Sequence, residues 1–558
     1  MNTNNLYTAL TIGPILKTLQ SVKSTKAIWA ASYLFSYLIK GILKEIKKIK
    51  RIEIILPYSD KVTINGNELE PLDDKFRKRA GFFPDKIIIK GKVELQEIID
   101  NVLKGFAIES QIPEAYLKNY INLYHLSIEL NENENVILKI NELLDSLELQ
   151  KKVLENIPKD DPLVSFLEQK SPYNFLIRDE FTKKPFQSTI EISTAEFEEK
   201  YKDDRRYVEA IKKLKAGDDE NQKEFIKDIK TIVSDNYRNY QKYIAVVQAD
   251  GDNVGTLLKF LYEQSNKEEL IKRFSKNLLS FAIGAVEIIK AYKGTPIYAG
   301  GDDLLFFAPV AHTLYNVDNK TMSIKETILT LIKQLDDKFD ELFKMDSVFG
   351  KLMNNQKAIK IFEEKGDKFK PPTMSYGVSI SYYKFPLNQA LAEGVNQLFY
   401  TAKKTDKKNA VSYTILKHSG QSFGATFHKN ETSYTTFNEL IKQIVTRDNF
   451  IHSVLYKLEP QKEVIKEIGK INAIDRDKIF NNFFLNNFNE SVHREKNDSN
   501  KLIPFLEKTK QLFIDTYKEK EINASRLGID KQNEINVNKI YSALRFIDFI
   551  NNKEERND

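Results

Sequence analysis

Residues 295–309 read TPIYAGGDDLLFFAP: two short apolar runs meet at Gly300-Gly301, and Asp302 and Asp303 are left on the turn. A glycine pair lets a hairpin reverse tightly through positive φ, and carboxylates just beyond it form a hard-oxygen ligand set for Mg²⁺. A polymerase-type palm holds metal in this way. The motif gains force from YIAVVQADGDNVGTLLKFL upstream, where an apolar run ends in Asp250-Gly251-Asp252 and a helical pattern follows. A strand ending in acids, a connecting helix and an acidic hairpin is the order that brings Asp250 beside Asp302 and Asp303 on adjacent strands.

Unit charges ~4 Å apart repel by about 4 kcal/mol at the effective dielectric of a protein surface. Clustered acids therefore invite a cation or acquire raised pKa values. In two-metal chemistry one ion activates the attacking hydroxyl and the other steadies the leaving phosphate. The expected metal ligands, and catalytic residues, are Asp250, Asp302 and Asp303, with Asp250 bridging. Gly-Gly-Asp-Asp alone also fits an ordinary solvated hairpin; Asp250 and Asp252 at the end of a strand in the right order favour metal.

At 558 residues the chain exceeds one core, and domain statistics suggest roughly three or four units. Its net charge of +6 gives no global field for nucleic acid, so such contact has to come from local patches. The absence of cysteine excludes disulfides, thiol catalysis and Cys-ligated zinc, and suits a reducing cytoplasm. The longest uncharged apolar stretch, Ala27 to Ile39, is shorter than the ~20 residues of a membrane span and starts late for a signal peptide. A cytoplasmic location is the default expectation.

Strands are expected at residues 6–13, 52–56, 86–90 and 188–193, and a long amphipathic helix from about Ser21 to Lys48. Helical periodicity runs over 92–157, broken by Pro113, and a turn-rich stretch passes through Pro172 and Pro185. The chain is charged and helical from Thr194 to about Tyr240, with Gly217-Asp218-Asp219 as a solvated turn. After the acidic hairpin come a helix over Ser323–Phe343, a basic loop, the alternating strand TMSYGVSISY and a helix from about Pro386 to Lys404. The opening strand-turn-helix echoes Tyr243–Leu261, but Gly13-Pro14 stand near where the later copy has its acids, so the first copy shapes a pocket without holding metal. Phe480, Phe483, Phe484 and Phe488 read as a helix-packing core. The fold expected is α+β: two ferredoxin-like palm domains, of the nucleotidyl cyclase/polymerase kind, plus two helical domains. The boundaries are 1–195 (first palm with a helical insert), 196–240 (small helical), 241–420 (second palm with the acidic site) and 421–558 (C-terminal helical).

The segments TIGPILKTLQSVKSTKAIWAASYLFSYLIKG, FPDKIII, FQSTIEISTAEF, ADGDNVG, YAGGDDLLFFAP and SYGVSISYYKFPLNQALAEGVNQLFYTAKKTDKKNAV, in this order, resemble the large subunit of type III CRISPR-Cas effector complexes, Cmr branch. The resemblance implies that target RNA, paired to a guide RNA held with sister Cmr-type subunits, switches on ATP conversion at the second palm. A 3′-hydroxyl would attack the α-phosphate of ATP and release pyrophosphate, giving an adenylate second messenger. Two Mg²⁺ or Mn²⁺ ions would serve at Asp250, Asp302 and Asp303, with S-adenosylmethionine an alternative acceptor. It also implies nucleotide contacts from Gly251, Asp252, Gly300 and Gly301, from the hydroxyl of Ser375, and from Lys403 or Lys408 toward the triphosphate; Lys17 and Lys23 are weaker candidates for a second nucleotide or RNA. For the Lys run a solvated helix end, and for Ser375 plain sheet packing, account equally well for the residues. Many relatives begin with a histidine-aspartate nuclease domain, and no His-Asp dipeptide exists here. Their four-cysteine zinc site cannot be built either, so zinc is expected to be absent. The rival readings are a catalytically silent scaffold subunit of the same RNA-guided complex and a stand-alone GGDEF-like cyclase.

Overall fold

The structure, a computed structural model, describes residues 5–64, 66–73, 80–131, 134–150, 161–169, 186–216, 219–233, 237–316, 321–405, 407–443, 450–488, 499–519 and 528–552. The expected turns at Pro172, Pro185 and Gly217-Asp218 lie outside these residues.

The first sheet is antiparallel, in the order β2-β5-β1-β6, from β1 (Asn5–Gly13), β2 (Glu53–Leu56), β5 (Lys86–Lys90) and β6 (Asn122–Leu130). A small hairpin, β3 (Val62–Ile64) with β4 (Asn67–Leu69), sits beside it. The helix Thr25–Ile46 starts where the Ser24 hydroxyl accepts the Ala27 N–H at 3.1 Å, and buries Trp29, Leu34, Leu38 and Ile42. It is the long helix expected from about Ser21 to Lys48, and a shorter helix, Ile15–Ser21, not among those expected, precedes it.

The second sheet has six strands, ordered β14-β13-β12-β7-β9-β8. They are β7 (Tyr243–Asp252), β8 (Thr295–Gly300), β9 (Asp303–Pro309), β12 (Thr373–Tyr382), β13 (Ala410–Leu416) and β14 (Ser422–His428). Helices Val254–Tyr262 and Lys267–Ala291 connect β7 to β8. Side chains alternate between two cores. Val247, Ala249, Phe306 and Ala308 face helices Lys267–Ala291 and Ile328–Phe343, whereas Ile244, Val246, Leu305 and Phe307 share a core with Leu10, Trp29 and Ile87 of the first sheet and its helix. Asp250 and Asp252 have the parity of Ile244 and Val246, so the acidic end of β7 belongs to the face turned toward the first unit. That unit also clips onto the edge strand: Gly81 bridges Tyr298, and the Ala299 N–H donates to Gly81 O at 3.0 Å.

Gly377 on β12 lies under a π-helical turn, Asn396–Thr401; a Cβ there would stand 2.3 Å from Leu398 N and 2.4 Å from Gly394 O. Both are backbone atoms and cannot swing aside. Gly377→Ala is expected to destabilise the chain by about 1–3 kcal/mol, read as a lowered midpoint in urea unfolding.

Five expectations are corrected. Residues 122–130, inside the expected helical stretch, form β6, because NLYHLSIEL alternates and pairs along the whole of β1. Thr189–Ser193 is helical rather than a strand: Ser188 and Glu191 close a capping box that overrides the β-branched residues. The residues before Ile328 form a hairpin, β10 (Ala311–Asn316) with β11 (Thr321–Thr327), and the helix begins only after the Thr327 cap. The helix after Pro386 ends at Val395 and continues as the π turn and a 3₁₀ turn, Ala402–Lys404. The second sheet also runs past residue 420 through β14, paired with β13. Beyond it the described residues are mainly helical, and Phe480 and Phe484 pack on Phe513 with Phe488 on Phe484, a helix-packing core as read from the sequence.

Candidate functional site

The acidic hairpin turns at Gly301-Asp302, with Gly301 at φ +73° and Gly300 opposite Asp303. Asp303 is thus the first residue of β9 rather than part of the turn. Ladder pairs of β7 and β9 run from Ile244–Pro309 to Ala249–Leu304, so the next step sets Asp250 against Asp303. On the other side Asp250 is paired with Ser375. The predicted acids therefore lie at the end of β7, at the start of β9 and on the turn before it, with Ser375 of β12 alongside.

Two glycines make that approach possible. A Cβ on Gly251 would lie 2.3 Å from Asp302 Oδ2 and 2.9 Å from Asp302 Cβ, so the Asp302 side chain folds directly over bare backbone. A Cβ on Gly300 would lie 2.0 Å from the Tyr298 hydroxyl, so that ring closes over the hairpin. Gly251→Ala is expected to push the hairpin off β7 and lower turnover by about a hundredfold, measured as single-turnover rate with folding checked by circular dichroism.

Burial pushes the Asp302 carboxyl up to about 6, and repulsion from Asp250 adds to it. Asp303 is exposed on its outer side, and crowding by nearby protein, then the charges of Asp302, Asp250 and Asp85, raise its carboxyl above the ordinary value. Asp250 is also raised by burial, against the pull of Lys403. Lys403 Nζ forms an ion pair with Asp250 and donates to Gly251 O at 3.0 Å. Lys408 contributes a weaker attraction to Asp250.

Asp252 is fully buried, with Oδ2 accepting from Ser375 Oγ at 2.6 Å, Thr373 Oγ1 at 3.1 Å and the Asn409 N–H at 2.9 Å. Its other oxygen, Oδ1, has no protein partner. The Ser375 hydroxyl, expected to face a base or sugar, is instead buried against Asp252 and accepts the Ala410 N–H at 3.2 Å. Lys408 and Asn409 both adopt positive φ, and His428 Nδ1 lies 3.1 Å from Lys408 O, which pins the loop that serves Asp252. Lys17 and Lys23 lie exposed on the first unit.

Helix Val254–Tyr262 opens directly after Asp252. Its N-cap residue, Asn253, sits in the left-handed region and sends its side chain to Pro371 O at 3.2 Å, so no side chain caps the first turn. Open N–H groups at a helix N-terminus attract phosphate.

Among the described residues no three His, Cys, Asp or Glu side chains converge as a finished metal cage. The donor set still fits a hard divalent cation in kind: carboxylates that raise one another's pKa, beside a buried carboxylate oxygen with no partner. Sequence reasoning passed over Asp85 and Tyr298. Asp85, just before β5, is raised by burial and contributes repulsion to Asp303 from across the boundary between the sheets. Its only signal was its place in FPDKIII.

No helix among the described residues is long and apolar enough to cross a membrane. The family model described as Cas10/Cmr2, second palm domain, matches residues 243–412, and that for the CRISPR-associated protein Cmr2, N-terminal, matches residues 7–121. Together they span just over half of the chain. Among solved structures, a chain of the type III-B Cmr-beta complex in the apo state is 12% identical, with a TM-score of 0.53, covering 92% of this chain and 82% of its own. A chain of the type III-B Cmr-beta complex bound to cognate target RNA is likewise 12% identical, with a TM-score of 0.54 and coverage of 91% and 83%. At that identity the likeness is one of fold. No protein among those with curated functions matches.

Proposed function

From the premise that this chain belongs to the Cas10/Cmr2 family of large subunits of type III CRISPR effector complexes, we propose that it is a target-RNA-activated nucleotidyltransferase that turns ATP into an adenylate second messenger. What supports this is the neighbourhood of Asp250, at the end of β7, to the Asp302-Asp303 hairpin that opens β9, the strand paired with β7, where the Asp302 side chain lies over Gly251. The partners follow from the family: sister Cmr-type subunits, a guide RNA and a target RNA, as in the structural relative bound to cognate target RNA.

In this reading Asp250, Asp302 and Asp303 would hold Mg²⁺ or Mn²⁺, which when bound would supply charge neutralisation at the α-phosphate and activation of the attacking hydroxyl. The first turn of helix Val254–Tyr262 receives phosphate oxygens on its open N–H groups, and Lys403 and Lys408 offer point charges to the same anion. Gly251 and Gly300 keep the floor low enough for the carboxylates to face one substrate. The attacking 3′-hydroxyl loses its proton to solvent, its oxygen bonds the α-phosphorus as the bond from that phosphorus to the α,β-bridging oxygen breaks, and pyrophosphate departs in line. Asp252 is a positioning residue, since Ser375, Thr373 and Asn409 occupy one of its oxygens.

The test is to assemble the complex with guide and target RNA, supply labelled ATP with and without S-adenosylmethionine, and identify the product by mass. A cyclic or linear oligoadenylate, or an AMP adduct of S-adenosylmethionine, appearing only with target RNA supports the reading. An assembled, RNA-bound complex that makes no product under either condition leaves the silent scaffold instead.

A further inference from the structure

Among the described residues, the ion pairing of the acidic cluster comes down to one contact, between Asp250 and Lys403. The Lys403 side chain is only 16% exposed, and its ammonium also bonds Gly251 O, so it lies against the carboxylate that stands between the hairpin and Ser375. A divalent cation and this ammonium cannot share Asp250 without strong like-charge repulsion. Lys403 sits on the single 3₁₀ turn Ala402–Lys404, behind the π turn and a joint at Thr401 with φ −125° and ψ −73°. Short irregular turns of this kind mark hinges, because they rearrange without breaking an α-helix. The same side chain lies 5.9 Å from the Phe399 ring, a face onto which it can swing.

We propose that Lys403 is a built-in counter-ion that keeps the carboxylates closed to divalent cations until an incoming triphosphate draws its ammonium away, so that cation and nucleotide enter together. The inference rests on the reading of Asp250, Asp302 and Asp303 as cation holders and adds an order of entry to it. A triphosphate offers more negative charge than one carboxylate. Once the ammonium moves to phosphate, Asp250 is left as a free donor beside Asp302 and Asp303. Without nucleotide, the chain should bind divalent cations poorly despite its cluster of acids.

Mn²⁺ binding to the full-length chain, followed by electron paramagnetic resonance with and without α,β-methylene-ATP, tests this without any turnover. In the wild type the nucleotide analogue should tighten Mn²⁺ binding by roughly tenfold or more. Lys403→Met should bind Mn²⁺ alone about tenfold tighter than the wild type and lose most of the nucleotide effect. Lys403→Arg, which keeps the charge, should behave as the wild type, and melting curves of both variants establish that they are folded. A folded Lys403→Met that binds Mn²⁺ alone no tighter than the wild type, while the analogue still tightens binding, overturns the counter-ion role and leaves the cation site standing. No Mn²⁺ binding in any variant, with or without analogue, overturns the cation site and the proposal with it.

Discussion

Replacing Asp302 and Asp303 together by alanine is expected to abolish nucleotide turnover while raising the melting temperature of the isolated chain at pH 7. The two outcomes share one cause. Asp302 is raised from 3.8 to about 6, and Asp303 is also raised, by burial and by its neighbours. A carboxyl whose folded pKa lies above its unfolded one contributes stability that is fully present below the unfolded value and is lost as pH rises through the folded value. For Asp302 that window runs from about 4 to about 6. At pH 7 it is past, and the ionised Asp302, repelled by Asp250, opposes folding. The double variant should therefore melt higher than the wild type at pH 7, and the difference should shrink toward pH 4. Both residues lie on or beside a turn, so complex assembly should persist. Unchanged turnover refutes the catalytic role, and a failure to assemble points to scaffolding.

Lys429→Met is expected to be the most destabilising single substitution considered, by about 3–5 kcal/mol. Lys429 Nζ donates to Asp336 Oδ1 at 2.5 Å, lies 4.7 Å over the Tyr376 ring, and has a side chain only 7% exposed. Tyr376 donates to the same Asp336 oxygen at 3.0 Å. Burial lowers the pKa of Lys429 and raises that of Asp336, so each depends on the other to remain charged. Removing the lysine leaves a buried carboxylate with a single phenol for company. Adding Asp336→Asn should recover most of the loss, because no uncompensated charge then remains; denaturant unfolding of the two variants gives the comparison. Tyr376 is the next residue to Ser375 and is paired with Ala249 on β7. Relaxation there should reach Asp252, and the single variant should also lose activity.

The chemistry of the acidic hairpin was legible because it is local. A glycine pair, of which Gly301 takes positive φ at the turn, with apolar flanks and adjacent carboxylates, leaves few alternatives, and β7, β9 and β12 each carry a strong strand pattern. Meeting across strands was inferred from order alone, and the pairing of β7 with β9 runs to Ala249–Leu304, one step short of Asp250 and Asp303. What stayed hidden depends on distant partners. NLYHLSIEL becomes a strand because β1, more than a hundred residues earlier, lends it an edge. The sequence points to Ser375 but does not say which face it takes; the register turns it toward Asp252. Lys403 was recognisable as a cation near an anion site, yet a long flexible side chain takes the nearest anion, and that is Asp250.

The bridge between Gly81 and Tyr298 has a bearing on how this protein can be cut. β8 is the outermost strand of its sheet, and a lone outer strand offers unpaired backbone groups to any neighbouring chain. By donating to Gly81, Ala299 uses part of that open rim internally. A fragment trimmed to the second sheet and its helices would keep every acid but leave the rim bare, and self-association would follow from the missing half rather than from the chemistry it retains.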